Sequence, residues 1–222
     1  MAVSDIKTSL LAPPRRERNG ARERMTRTEL LGLFQSAVAR LDPDAPEILQ
    51  FMSAHAGEGT STIAKELASA VATAAGRRVL LVVMAPRGEI IGHSLDDVLN
   101  GEIPLEKATY QEPGAAHAST FIAVDRANPA LFQTHGIGKL FGDLLGDFDV
   151  VIIDALPVLS DFAGLALVRN VGGVILVIEA ERTRSPVITE ARRLIEANGG
   201  HILGVVFNKR RYHIPRSIYR WI

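Results

Sequence analysis

Ser53-Ala54-His55-Ala56-Gly57-Glu58-Gly59-Thr60-Ser61-Thr62 is the stretch on which the reading of this chain turns. Its spacing is that of a phosphate-binding loop, G-x-x-x-x-G-K-[ST], with Ala54 in the first place and Gly59 and Ser61 in theirs. Thr60 stands where the lysine belongs. In such a loop, backbone N–H groups and a helix N-terminus cradle phosphate, the lysine adds positive charge, and the hydroxyl ligates magnesium. Gly57, Glu58, Gly59, Thr60, Ser61 and Thr62 therefore form the candidate nucleotide cradle, and Ser61 the candidate magnesium hydroxyl. ATP and magnesium are the cofactors implied. The absent cation argues against tight binding, since a lost charge-assisted hydrogen bond costs ~1.5–3 kcal/mol. Lys65 lies farther along the following helix, and it is not expected to reach back.

Working outward, an apolar run at 48–54 predicts a strand before the loop. Ile63, Leu67, Ala70, Val71 and Ala74 form one apolar face over 61–75, which predicts a helix after it. Upstream, Leu30, Leu31, Phe34, Val38 and Leu41 predict a helix over 27–41. Downstream, strands are predicted at 78–85, 120–124, 149–154, 174–178 and 202–207. Helical segments are predicted at 95–99, 137–145, 162–168 and 187–197. The strand segments are continuous Val/Ile/Leu runs, not alternating ones, so they are covered on both faces. The fold class that follows is α/β: a doubly wound, mostly parallel sheet with helices on both faces. Ligands of such sheets sit at the carboxyl ends of the strands. The loop, Ala85-Pro86-Arg87, Asp154 and Asn208 all fall there. Asp149-Val150-Val151-Ile152-Ile153-Asp154 has the form of an apolar strand ending in a magnesium carboxylate. Asp154 is thus the candidate catalytic residue and, with Ser61, a candidate magnesium ligand.

Formal net charge is zero over 222 residues, which gives no bulk preference for nucleic acid. Basic residues gather at the two ends instead. Residues 1–26 read as a disordered basic arm, 27–209 as the α/β domain, and 210–222 as a basic amphipathic tail suited to an anionic membrane surface or a partner groove. The chain has no cysteine, and no apolar run approaches the ~20 residues that cross a bilayer. A cytoplasmic protein, peripheral to the inner membrane, is the expectation. The six histidines show no metal spacing.

With the loop, the strand ending in Asp154, Leu95-Asp96-Asp97-Val98-Leu99-Asn100-Gly101, the run from Phe148 to Asp161, and Gly204-Val205-Val206-Phe207-Asn208-Lys209, the chain resembles the cytoplasmic domain of bacterial tyrosine kinases, the BY-kinases. These partner the membrane polysaccharide co-polymerases, chain-length-determinant proteins that act in capsule and exopolysaccharide export. The resemblance covers roughly 27–211 and implies an oligomer-forming, P-loop NTPase-like domain of the deviant Walker type. In the wider fold family, an Asn at the place of Asn208 recognises adenine.

The departures are as informative. The family's Asp-x-Asp, which holds magnesium and activates the attacking hydroxyl, falls on Val83 and Ala85. Its Glu-x-x-Arg-x-x-Arg oligomerisation motif falls on Glu29, Gly32 and Gln35, which puts ring formation in question. Its tyrosine-rich tail is reduced to Tyr212 and Tyr219. Metal ligands, cation and acceptor are lost together while the apolar frame survives. The resemblance therefore implies a catalytically impaired BY-kinase-like subunit working with a separate membrane co-polymerase. An active tyrosine autokinase using Asp154 stands as the alternative. A partitioning-type ATPase is the weaker third reading, because Ala54-His55-Ala56-Gly57 offers no second lysine.

Overall fold

The computed structural model describes residues 24–85, 87–90, 92–111, 120–125, 142 and 146–210. Helix α1 (Arg27–Val38) opens on a capping box: Thr26 Oγ1 accepts from the Glu29 N–H at 3.3 Å, and the Glu29 carboxylate accepts from the Thr26 N–H at 2.7 Å. Strand β1 (Ile48–Ser53) is buried at all six positions, and the loop then feeds α2 (Thr60–Ala74). Gly76, at φ +64°, turns the chain out of α2 towards β2 (Val79–Ala85). After a 3₁₀ turn at Arg87–Glu89 come α3 (Leu95–Leu99), α4 (Leu105–Ala108), β3 (Tyr110–Gln111) and β4 (Thr120–Asp125). Then follow β5 (Val150–Asp154), a 3₁₀ turn at Ala163–Ala166, β6 (Gly173–Glu179), α5 (Ser185–Ala197) and β7 (Ile202–Asn208).

The strands form one sheet in the order β3-β4-β2-β5-β1-β6-β7. Six run parallel, and the two-residue β3 pairs antiparallel with β4 at one edge. The predicted mostly parallel α/β sheet is what forms. Its two faces carry separate apolar cores. On one, Leu67 and Val71 of α2 and Phe34 of α1 pack on Leu49, Phe51 and Ile152. On the other, Ala191 and Ile195 of α5 join Ile48, Met52, Ile153 and Ile178. A fully buried side chain of this kind stabilises by ~1.5–3 kcal/mol relative to exposure. The central strand β1 has neighbours on both sides, which sets the loop that follows it in the middle of the sheet's carboxyl edge.

The structure departs from the sequence expectations at one predicted helix and adds two short elements. The helix predicted over 162–168 is a 3₁₀ turn, Ala163–Ala166, pressed onto the sheet: a Cβ added at Gly164 would come within 2.8 Å of Met52, and the Gly164 carbonyl accepts from Gln50 Nε2 at 2.8 Å. Helix α4 and strand β3 are additions, too short to leave a periodic signal. The helix predicted over 137–145, apart from residue 142, the arm up to residue 23 and the tail beyond 210 lie outside the described residues.

Candidate functional site

The loop is shaped from the backbone outward. Gly57 and Gly59 sit at φ +83° and +97°, conformations that side chains with a Cβ rarely adopt. Gly59 is constrained twice, because a Cβ there would lie 2.1 Å from Asn208 Nδ2. No side chain caps α2 at Gly59, so the N–H groups of its first turn are left for a ligand. Thr60 is the first residue of that helix. It is 6% exposed, and its Oγ1 is buried without a hydrogen-bond partner. An orphaned hydroxyl at the mouth of an uncapped helix, just after two left-handed glycines, fits a phosphate cradle.

The loop's entrance is tied to the chain after β5: the Val158 N–H donates to the Ser53 carbonyl at 2.8 Å. Its tip is held from β6 and β7. Glu58 is 3% exposed, and its carboxylate accepts from the His55 N–H at 2.9 Å, the Glu179 N–H at 3.3 Å and the Thr183 hydroxyl. Asn208 Nδ2 donates to the Glu58 carbonyl at 2.8 Å, and Asn208 Oδ1 accepts from the Lys209 N–H at 2.8 Å. Lys209 Nζ donates to the Gly57 carbonyl and lies 3.2 Å from the Glu179 carboxylate. Glu58, one of the predicted cradle residues, thus turns its side chain away from the cradle and into a brace. Asn208 supports the loop from outside.

Asp154 ends β5 beside the loop, 4% exposed. Burial pushes its carboxyl up to about 6, opposed by the Ser61 hydroxyl that hydrogen-bonds it and by the positive charge of Lys65. The predicted magnesium pair, Ser61 and Asp154, is therefore brought together. Both are oxygen ligands of the kind magnesium takes. Thr62 is exposed on the first turn of α2. Val83 pairs in register with Asp154, so the position of the first missing carboxylate lies directly alongside. Val83 and Ala85 are 7% and 5% exposed and offer no oxygen ligand. Asp125, which the strand predicted at 120–124 stopped short of, pairs in register with Ala85; its N–H donates to Asp96 Oδ2 at 2.8 Å. Among the described residues no three His, Cys, Asp or Glu gather as a metal site. The loop has the form of a backbone cradle that would fit phosphate, and Ser61 and Asp154 are the two oxygen ligands that would meet a magnesium ion beside it.

Lys65, Glu179, Thr183 and Lys209 were not predicted as site residues. The one signal for Glu179 was a charged residue closing an apolar strand.

The chain matches no family profile. It is 30% identical over 93 residues to a Staphylococcus aureus protein named "Putative tyrosine-protein kinase CapB", covering 41% of each chain. It therefore spans about two fifths of that relative's length. Other relatives are also named tyrosine-protein kinases. Among solved structures, the kinase domain of the Escherichia coli tyrosine kinase ETK superposes with a TM-score of 0.72 at 18% identity, over 89% of this chain and 88% of that one. A Mycobacterium smegmatis cobyrinic acid a,c-diamide synthase with bound ADP and magnesium shares the fold at a TM-score of 0.56 and 20% identity, over 72% of each chain. These sequence relatives are named bacterial tyrosine-protein kinases, and the chain shares the fold of a bacterial tyrosine-kinase domain.

Proposed function

From this kinship with bacterial tyrosine kinases, we propose that the chain is a BY-kinase-like subunit impaired in phosphoryl transfer, acting with a separate membrane co-polymerase in exopolysaccharide or capsule export. The observation that carries the impairment is the pairing of Val83 with Asp154. Where the resembled family holds metal with a carboxylate, this chain places a buried aliphatic side chain against its remaining acid. Phosphoryl transfer depends on stabilising charge at the transferring group. With two buried apolar residues and a threonine at these positions, that task would fall to the backbone cradle and to a magnesium ion on Ser61 and Asp154 alone. The nucleotide is then a ligand that sets the subunit's state, held by the N–H groups of Gly57 to Ser61, with magnesium on Ser61 and Asp154. Asn208 remains the candidate for adenine recognition. The working site is cytoplasmic, against the inner membrane.

The alternative, an active tyrosine autokinase, is favoured by one observation. Asp154 keeps its contact with Ser61, and its raised protonation range suits a base near neutral pH. One experiment separates the two: incubation of the purified protein with Mg-ATP followed by phosphotyrosine detection. The impaired-subunit reading expects no label. Label that disappears in Asp154→Ala establishes the autokinase instead. The partner assignment is tested separately, by co-purification with a co-polymerase from the same export system; failure to co-purify removes it.

A further inference from the structure

The loop has lost its lysine, yet the described part of the molecule holds one cation placed to replace it. Lys65 lies four residues after Ser61 on α2, so the two share a face of the helix. Long side chains on a helix lean towards its N-terminus and over the preceding turn. For Lys65 that turn carries Ser61, and beyond it lies the cradle. The same direction explains why Lys65 favours the Asp154 carboxylate alongside the Ser61 hydroxyl that touches it. Lys65 is exposed, and lines an open hollow of about 360 Å³ between α1 and α2 with Arg27, Leu30, Glu66 and Ser69.

Most other described cations around the loop and α2 are committed, and Arg184 lines a separate hollow with His55, Glu58 and Glu179, on the braced side of the loop. Lys209 holds the Gly57 carbonyl and Glu179; Arg182 lies 3.5 Å from Glu179. Arg27 donates to the Thr73 hydroxyl, and Arg24 pairs with Glu66 at 3.6 Å. Lys65 makes no hydrogen bond or ion pair within the described structure. The commitment of Lys209 is geometric as well: it grips the loop through a backbone carbonyl.

We propose that Lys65 supplies the positive charge that Thr60 does not, meeting the outer phosphates of a bound nucleoside di- or triphosphate from one turn inside α2. This assignment rests on reading the loop as a nucleotide cradle. The relocated charge serves binding, and it restores neither carboxylate missing at Val83 and Ala85.

The test is calorimetric titration of the full chain with Mg-ADP. Lys65→Met should weaken binding by about tenfold to a hundredfold, the worth of one charge-assisted hydrogen bond. Lys65→Arg should keep affinity close to wild type, and adding Thr60→Lys to Lys65→Met should recover it. Equal affinity of Lys65→Met and wild type overturns the proposal. Absence of binding by wild type with binding by Thr60→Lys overturns the Lys65 assignment and leaves the cradle standing. Absence of binding by both overturns the cradle reading beneath it. A second readout needs no variant. An acyl-phosphate derivative of ADP transfers its acyl group to an amine lying beside the phosphates: an amide forms, the mixed anhydride breaks and ADP leaves. Peptide mapping should find the acyl group on Lys65. Acylation of Lys209 in its place, or of no lysine, overturns the proposal.

Discussion

Thr60 holds a hydroxyl where it earns nothing in the ligand-free fold. Its Oγ1 is buried and unpartnered, and such a group costs ~1–3 kcal/mol. Valine has the same shape without the oxygen. Thr60→Val should therefore raise stability by about 1 kcal/mol in a urea titration and weaken Mg-ADP binding. A variant no more stable than wild type would mean that the hydroxyl is satisfied in solution. Asp154 makes a second case at this scale. Folding raises its carboxyl from 3.8 to about 6, so the charged form is disfavoured in the native state. The native state then binds the proton more tightly than the unfolded chain. Below about pH 4 both states are protonated and there is no penalty; it grows as pH rises and is complete above about 6. Asp154→Asn should melt above wild type at pH 7.5, by the equivalent of roughly 1–3 kcal/mol, and the gap should close at pH 4. An equal gap at both pH values would assign the effect to packing.

Among the elements, β7 does two jobs. It closes one edge of the sheet, and its last residue braces the loop. Asn208→Ala removes the amide that holds the Glu58 carbonyl but leaves the ladder to β6 intact. Amide exchange at Gly57 to Thr60 should speed up by about fivefold to tenfold, the worth of one hydrogen bond, with little change across β6 and β7. Uniform acceleration over the sheet would show instead that the residue matters to the strand. The contrast between strand and brace also marks what was legible in the sequence. Strands such as Val79–Ala85 announce themselves, because a parallel sheet needs unbroken apolar runs. Ser61 and Asp154 were legible because motif spacing encodes them. The brace of Glu58 with Thr183 was not: its partners are 125 residues apart and neither lies in a periodic pattern. Lys65 was discounted by counting residues along the helix. The proposal made for it rests instead on the lean of helical side chains towards the N-terminus.

At the scale of the whole molecule, the tail is the part whose composition best suits an anionic surface. Residues 211–222 carry Ile214, Ile218, Trp221 and Ile222 together with Arg211, Arg216 and Arg220. Each basic residue near an anionic surface contributes ~1 kcal/mol. Deleting 211–222 should leave the melting temperature unchanged, because the last strand ends at Asn208. It should also abolish sedimentation with vesicles containing anionic lipid. Val205 and Phe207 stand 41% and 64% exposed just before the tail begins. A fall in melting temperature on deletion would place the tail on them instead. The bond from Asn208 to the Glu58 carbonyl bridges 150 residues, and protein synthesis runs in one direction. The loop is made early and takes its braced shape late. β1 leaves the ribosome long before β5 and β6, the strands between which it must lie. A nascent chain stalled short of β7, or a proteolytic fragment ending there, carries every letter of the phosphate motif and the Glu179 and Thr183 part of the brace, but neither Asn208 nor Lys209. Only a chain that includes β7 can present the fully braced loop.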